Sequence, residues 1–249
     1  MTFYVVSVSA VLVLSGLLSM AGLGAAFLFV PLFYYMGVPL PEATATALLL
    51  NVVSMTFATF NYWRGRLINF RLGVPVMVTA VALAPFGARL TATVDKKLLL
   101  GLFAAFLVFA GTMMLFYRPR RREHERGRST ELSVGVGIGG VAGFLGGLLG
   151  VGGGNFIVPV LNWFGLDAKV AAATTAFAVV FASLSGFLAH ATVGSLDPTF
   201  VVVCAVAAAA GSIAGSHLVR ARLSSAAVKT TTGALLWVIA AKMIYDLVK

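Results

Sequence analysis

Charge is what this chain has least of. Eight of its 249 residues are acidic and 18 basic, so 10% are charged, against about 25% in a soluble domain. A water-soluble fold of this length could not clothe its surface with so few. The single cysteine, Cys204, rules out an intrachain disulfide; inside the run VVVCAVAAAA it reads as a small packing residue. With three histidines and few acids there is no HExxH, no GxSxG, no P-loop and no pair of buried carboxylates. The expectation is a protein that is not an enzyme and that uses no metal and no cofactor. Without a P-loop it cannot drive an ATP-powered pump unless another subunit supplies the ATPase.

What the chain has instead is apolar length. Hydrophobic residues make up 60%, and the mean hydropathy is +1.00. Eight apolar segments approach the roughly 20 residues needed to span a bilayer: 3–21, 43–62, 71–89, 97–117, 132–150, 168–190, 198–218 and 225–246. The first has no Lys or Arg before it, which suits a retained helix better than a signal peptide. Two shorter pieces, 24–36 and 153–164, suit half-helices. The net charge of +10 does not imply nucleic acid. Arg118, Arg120, Arg121, Arg122, Arg126 and Arg128 crowd one polar segment, as in a cytoplasmic loop under the positive-inside rule. The layout is a membrane repeat at 1–117, an Arg-rich cytoplasmic linker at 118–131 and a second membrane repeat at 132–249.

The two short pieces open on related glycine motifs. GVGGGNFIVP runs from Gly150 to Pro159, and GLGAAFLFVP runs from Gly22 to Pro31, 128 residues earlier. Gly22 aligns with Gly150, Gly24 with Gly152 and Gly37 with Gly165. Glycines this dense break a helix and bare backbone N–H groups. Within a membrane, broken backbone persists only where protein buries it or where it lines a cavity. One break per half marks the binding region of many transporters.

Loop charge bears on the orientation of the repeat. The loop after the second long segment carries Arg64, Arg66 and Arg71; its counterpart, Ala189 to Thr199, carries no Lys or Arg. Homologous loops on opposite sides mean inverted halves, each with four long helices and one short broken one and an odd number of crossings. Arg89, Lys96 and Lys97 then fall on the less basic side, against the scheme. The rival treats each short piece as a re-entrant hairpin between eight crossings, with parallel halves.

Candidate anion ligands follow from hydrogen-bond chemistry. Glycines entering a short helix can aim several N–H groups at one point, where the helix dipole adds partial positive charge. Gly22, Gly24, Gly150, Gly152, Gly153 and Gly154 are the candidates, with Asn155 beside them. Asn51, Thr174 and Thr175, on the long helices that follow, offer amide and hydroxyl donors, although Ser and Thr in membranes more often bond between helices. Gly135, Gly139, Gly143 and Gly147, four apart, read as helix packing. Pro31 and Pro159 are candidate kinks. Arg89, His190 and His217 are candidates for gating or proton coupling, with snorkelling as the plainer role for Arg89.

Two glycine–proline motifs, each followed by an Ala/Thr-rich helix, in an all-helical chain of this length resemble the TauE/SafE family. The most specific stretch is GGLLGVGGGNFIVPVLNWFGLDAKVAAATTAF, Gly146 to Phe177. The resemblance implies secondary export of small sulfur-containing anions such as sulfite or sulfonates across the cell's inner membrane. It carries the motif role to Gly22, Gly24, Pro31, Gly150, Gly152, Gly153, Gly154 and Pro159. The expected partners are the anion and the lipid bilayer, with a homodimer as an option and no nucleic acid. An anion channel, an uptake transporter for a related oxyanion and, lower, a membrane sensor or scaffold are the alternatives. The related thiosulfate-uptake proteins rely on membrane cysteines, and here Cys204 stands alone outside both motifs.

Overall fold

A computed structural model describes residues 2–90, 96–116, 128–189 and 198–248. Its regular structure is entirely α-helical: α1 Thr2–Ala21, α2 Ala26–Tyr35, α3 Leu40–Arg64, α4 Phe70–Leu90, α5 Lys96–Phe116, α6 Arg128–Leu149, α7 Gly154–Trp163, α8 Ala168–Ala189, α9 Pro198–Ala221 and α10 Ser225–Val248. Each expected segment has its helix within a few residues, and α6 takes in the last residues assigned to the linker. Among the described residues six stretches are long and apolar enough to cross a membrane: Glu42–Arg64, Phe70–Leu90, Glu131–Leu149, Ala168–Ala189, Pro198–Ala221 and Ala226–Tyr245. His190 and most of the arginine linker lie outside the described residues.

The central helix α8 turns its large side chains outward and its small ones inward. On α8 the buried residues include Ala171, Ala172, Ala176 and Ala182, while Phe181, Leu184 and Leu188 are exposed. In lipid there is no hydrophobic gain from burying a leucine, so helices associate through close packing of small residues. The four-spaced glycines of α6 do this against α4. Gly139 sits on Val76, Gly143 on Ala80 and Gly147 on Ala84, each with no space for a Cβ.

The halves repeat in detail. Each of α1 and α6 ends in a Schellman turn, a left-handed glycine flanked by a six-to-one bond: Leu23 N–H donates to Leu18 C=O, and Val151 N–H to Gly146 C=O. The short helices end the same way, with Val38 bonded to Phe33 around Gly37 and Leu166 to Leu161 around Gly165. Every one of these bonds has its twin 128 residues on. At Gly37, φ is +90° and nothing lies within 4 Å of an added Cβ. Gly37→Ala therefore isolates backbone strain. It is expected to cost about 1–2 kcal/mol, read as a lowered melting midpoint in detergent; an unchanged midpoint would refute the assignment.

The chain reverses at each break. Gly153 lies against Ala142 and Gly146, back along α6, and Ser7 near the start of α1 touches Met36 just after α2. So α1 and α2 form a hairpin, as do α6 and α7; the short helices do not continue onward. The halves also interlock. The first helix of one half packs alongside the fourth helix of the other, α1 with α9 and α6 with α4. The pairings are equivalent, since Gly215 meets Gly16 as Gly87 meets Phe144. The matched helices α3 and α8 cross at the centre, where Leu48 lies by Gly186 and Asn51 by Ser183. They therefore run antiparallel.

Candidate functional site

The two breaks meet in the middle of the molecule. Gly154 packs against the backbone of Leu23, so the entry to α7 touches the turn before α2. Gly22 packs against Ala172 of α8, and Gly150 against Thr44 of α3, a twofold-related pair of contacts. Gly22, Gly24, Gly150, Gly152 and Gly153 all have φ between +67° and +77°. A side chain is strained there whatever the space.

Asn51 joins the halves. Its Oδ1 accepts the N–H of Ala25 at 2.8 Å, and its Nδ2 donates to Ser183 Oγ, also at 2.8 Å. One fully buried amide thus caps the first break and ties it to the opposite half. Gly24 and Gly152 lie on either side: a Cβ at Gly24 would meet Asn51 Oδ1, and one at Gly152 would meet Asn51 Nδ2 and Ser183 Oγ.

The second break has no such cap. The twin of Ala25 is Gly153, and the twin of Asn51 is Val179, whose Cγ1 lies 3.6 Å from a Cβ built at Gly152. An isopropyl group accepts nothing. Among the described residues no oxygen takes the N–H of Gly152, Gly153, Gly154 or Asn155. Asn155, in the first turn of α7, is wholly buried, yet neither Oδ1 nor Nδ2 has a partner. Buried amides without partners cost roughly 1–3 kcal/mol and call for an explanation. Pro159 adds to the inventory, since a proline there leaves the Asn155 carbonyl without its helical donor. Pro31 stands at the matching place in α2.

The other candidates divide. Thr175 is buried with its hydroxyl unpartnered, and it lies on the same α8 face as Ala172, Val179 and Ser183. Thr174 is placed otherwise: its hydroxyl accepts the N–H of Asn69, ahead of α4, at 3.0 Å. Arg89 and His217 are both exposed near the ends of α4 and α9, and His217 Nδ1 lies 3.5 Å from an Arg220 nitrogen. Ser183 has no motif to mark it in the sequence, and its partner Asn51 comes from the other half. The crevice beside Gly152, lined also by Leu48, Gly146, Ala182 and Gly186, has no room for a water molecule. Among the described residues no three His, Cys, Asp or Glu side chains gather to hold a metal.

Comparison with known proteins places the chain among membrane transporters. The family model described as sulfite exporter TauE/SafE matches residues 7–243. The chain is 23% identical over 253 aligned residues to the probable membrane transporter protein YunE of Bacillus subtilis, covering 92% of each. It is 25% identical over 181 residues to a probable membrane transporter protein of Methanocaldococcus jannaschii, covering 70% of this chain and 67% of that one. A sulfite exporter TauE/SafE family protein of Arabidopsis thaliana is 37% identical over 89 residues, 34% of this chain and 20% of its own. No solved structure matches significantly. With the family model spanning nearly its whole length and its helices long and apolar enough for several crossings, this multi-pass membrane protein belongs to the TauE/SafE sulfite exporter family of membrane transporters.

Proposed function

We propose that the protein is a secondary transporter that exports small sulfur-containing oxyanions across the cytoplasmic membrane by alternating access, and that it catalyses no reaction. The observation that carries this reading is the uncapped second break: four free N–H groups at the start of α7 beside a buried, unpartnered Asn155 amide. The start of α7 carries the positive end of its dipole and no basic side chain. It can hold an anion without a fixed positive charge that would retain it. The antiparallel crossing of α3 and α8 supports inverted halves that exchange access by rocking. The α1–α2 hairpin makes no net crossing in this reading, so each half crosses three times, which is still odd. The closed crevice beside Gly152 favours a gated carrier over a standing channel. An inside-negative potential drives a monoanion outward by about 2.3 kcal/mol per 100 mV, so export needs no coupled ion.

The test is sulfite efflux from proteoliposomes with Asn155→Leu. A structural amide would have partners, so an apolar replacement of similar size is expected to leave stability unchanged or higher. Flux is expected to fall at least about tenfold, the worth of one lost bond to a charged ligand. Undiminished efflux by a folded Asn155→Leu protein would refute the site.

A further inference from the structure

Resting on that reading, we propose that the site takes its oxyanion in the singly protonated form, reading the acidic proton with Asn155. The reason is the mixture of groups left open. A dianion presents only acceptors, and a site built for it would be lined with donors. Here the N–H groups of Gly152, Gly153 and Gly154 are donors, but Asn155 Oδ1 is a buried acceptor with no partner. A hydrogen oxyanion satisfies both kinds at once. Its bare oxygens accept from the backbone and from Asn155 Nδ2, and its proton donates to Asn155 Oδ1. A fully deprotonated oxyanion would leave Asn155 Oδ1 facing negative charge.

Charge points the same way. Helices α1, α2 and α7 carry no acid or base except tyrosines. On the remaining elements around the breaks the described ionisable side chains are Glu131 of α6, Lys169 of α8 with Asp167 just before it, Glu42, Tyr62 and Arg64 of α3, and Arg71 and Arg89 of α4; the side chains of Lys96, Lys97 and Arg128 are outside the description. Counted from Ala142, Ser183 and Asn51, the residues nearest Gly152 and Gly153, those on α3, α6 and α8 lie about 13 Å or more along their helices; on α4, Arg89 is exposed and about 7.5 Å along the helix from Ala84, which lines the crevice with Gly152. Glu42 comes nearest to a break, two residues from the Thr44 that packs on Gly150. Among the described residues no buried basic side chain stands by to neutralise a second negative charge, and a monoanion is far cheaper to dehydrate than a dianion.

The experiment measures efflux of sulfite and of methanesulfonate from proteoliposomes across the pH at which sulfite loses its second proton, with potential clamped and sodium replaced by choline in parallel. Methanesulfonate is a permanent monoanion of similar size whose methyl group cannot donate. Sulfite flux is expected to follow the monoanion, falling about tenfold per pH unit above the anion's own pKa, with one charge moved per sulfite. Methanesulfonate is expected to move at least about a hundredfold more slowly at neutral pH, because a site made for a hydroxyl rejects the analogue lacking it, and to show no such pH slope. Glu42→Gln is expected to keep the sulfite slope. Sulfite flux that is level or rising with pH, two charges per sulfite, a slope shared by methanesulfonate or lost in Glu42→Gln, or a requirement for sodium would each overturn the proposal while leaving anion transport intact. Absence of any anion flux would refute the transport reading itself.

Discussion

Asn51→Val is expected to destabilise the protein by about 2–6 kcal/mol, because it strands two buried groups at roughly 1–3 kcal/mol each. The Ala25 N–H loses its acceptor, and the Ser183 hydroxyl loses its donor. Valine is the residue that the second half already carries at the equivalent position, Val179, so the substitution is tolerable in shape and isolates the amide. It also removes a polar link between α3 and α8, the helices that cross at the centre of the molecule. The measurement is an unfolding midpoint in detergent, compared with Ser183→Ala. That variant keeps the Ala25 cap and is expected to lose only about 1 kcal/mol. The contrast with Asn155→Leu is the informative part. Both changes delete a wholly buried asparagine amide beside a glycine break, yet one amide is bonded at both its oxygen and its nitrogen and the other at neither. If both variants lost the same stability, the division of the two breaks into a structural one and a ligand-binding one would be wrong.

Much of the fold is legible from residues. Apolar runs bounded by glycine, proline and arginine place the ten described helices, since a bilayer fixes their length. The left-handed glycines are legible too, because Gly22, Gly37, Gly150 and Gly165 recur at a fixed offset and a repeated glycine implies a repeated backbone need. The direction of the chain after each break is not legible. A glycine run says that the helix stops, and whether the next helix continues or turns back depends on what it packs against, here Ala142 and Gly146. Nor is the exchange of α1 and α6 between halves, because a stripe of small residues advertises a close neighbour without naming it.

At the site, composition points to Asn155 and Thr175, but Thr174 reads from sequence as equivalent to Thr175. Adjacent residues on a helix face about 100° apart. Thr174 therefore turns to Asn69 and the start of α4, while Thr175 joins the face shared with Ala172 and Val179. The pairing of Asn51 with Ser183 spans 132 residues and has no local signature. What sequence does offer is the asymmetry. Ala25 and Ala26 stand where the second copy has Gly153 and Gly154, and Asn51 stands opposite Val179. The first break has a side-chain acceptor and can afford alanines; the second has none and exposes more backbone.

That asymmetry yields the sharpest expected result. Val179→Asn supplies the second break with the cap that Asn51 gives the first. By twofold equivalence its Oδ1 would reach the Gly153 N–H, as Asn51 Oδ1 reaches Ala25. The new bond contributes about 0.5–1.5 kcal/mol, offset by an Nδ2 facing Met55, the counterpart of Ser183 and a weak acceptor. Stability is therefore expected to stay within about 1 kcal/mol of the parent. Anion efflux is expected to fall by about tenfold to a hundredfold, because an internal oxygen now occupies a donor otherwise worth about 1.5–3 kcal/mol to a charged ligand. The double swap Asn51→Val with Val179→Asn separates this from general damage. It moves the cap to the other half and uncaps Ala25, but leaves the first break without an equivalent of Asn155, since Phe27 stands there. Flux is expected to stay low in the double variant although the number of caps is unchanged. Recovery of flux would mean that any uncapped break suffices and that Asn155 is dispensable. Loss in both, with folded protein in each, would locate the anion at the α7 entry.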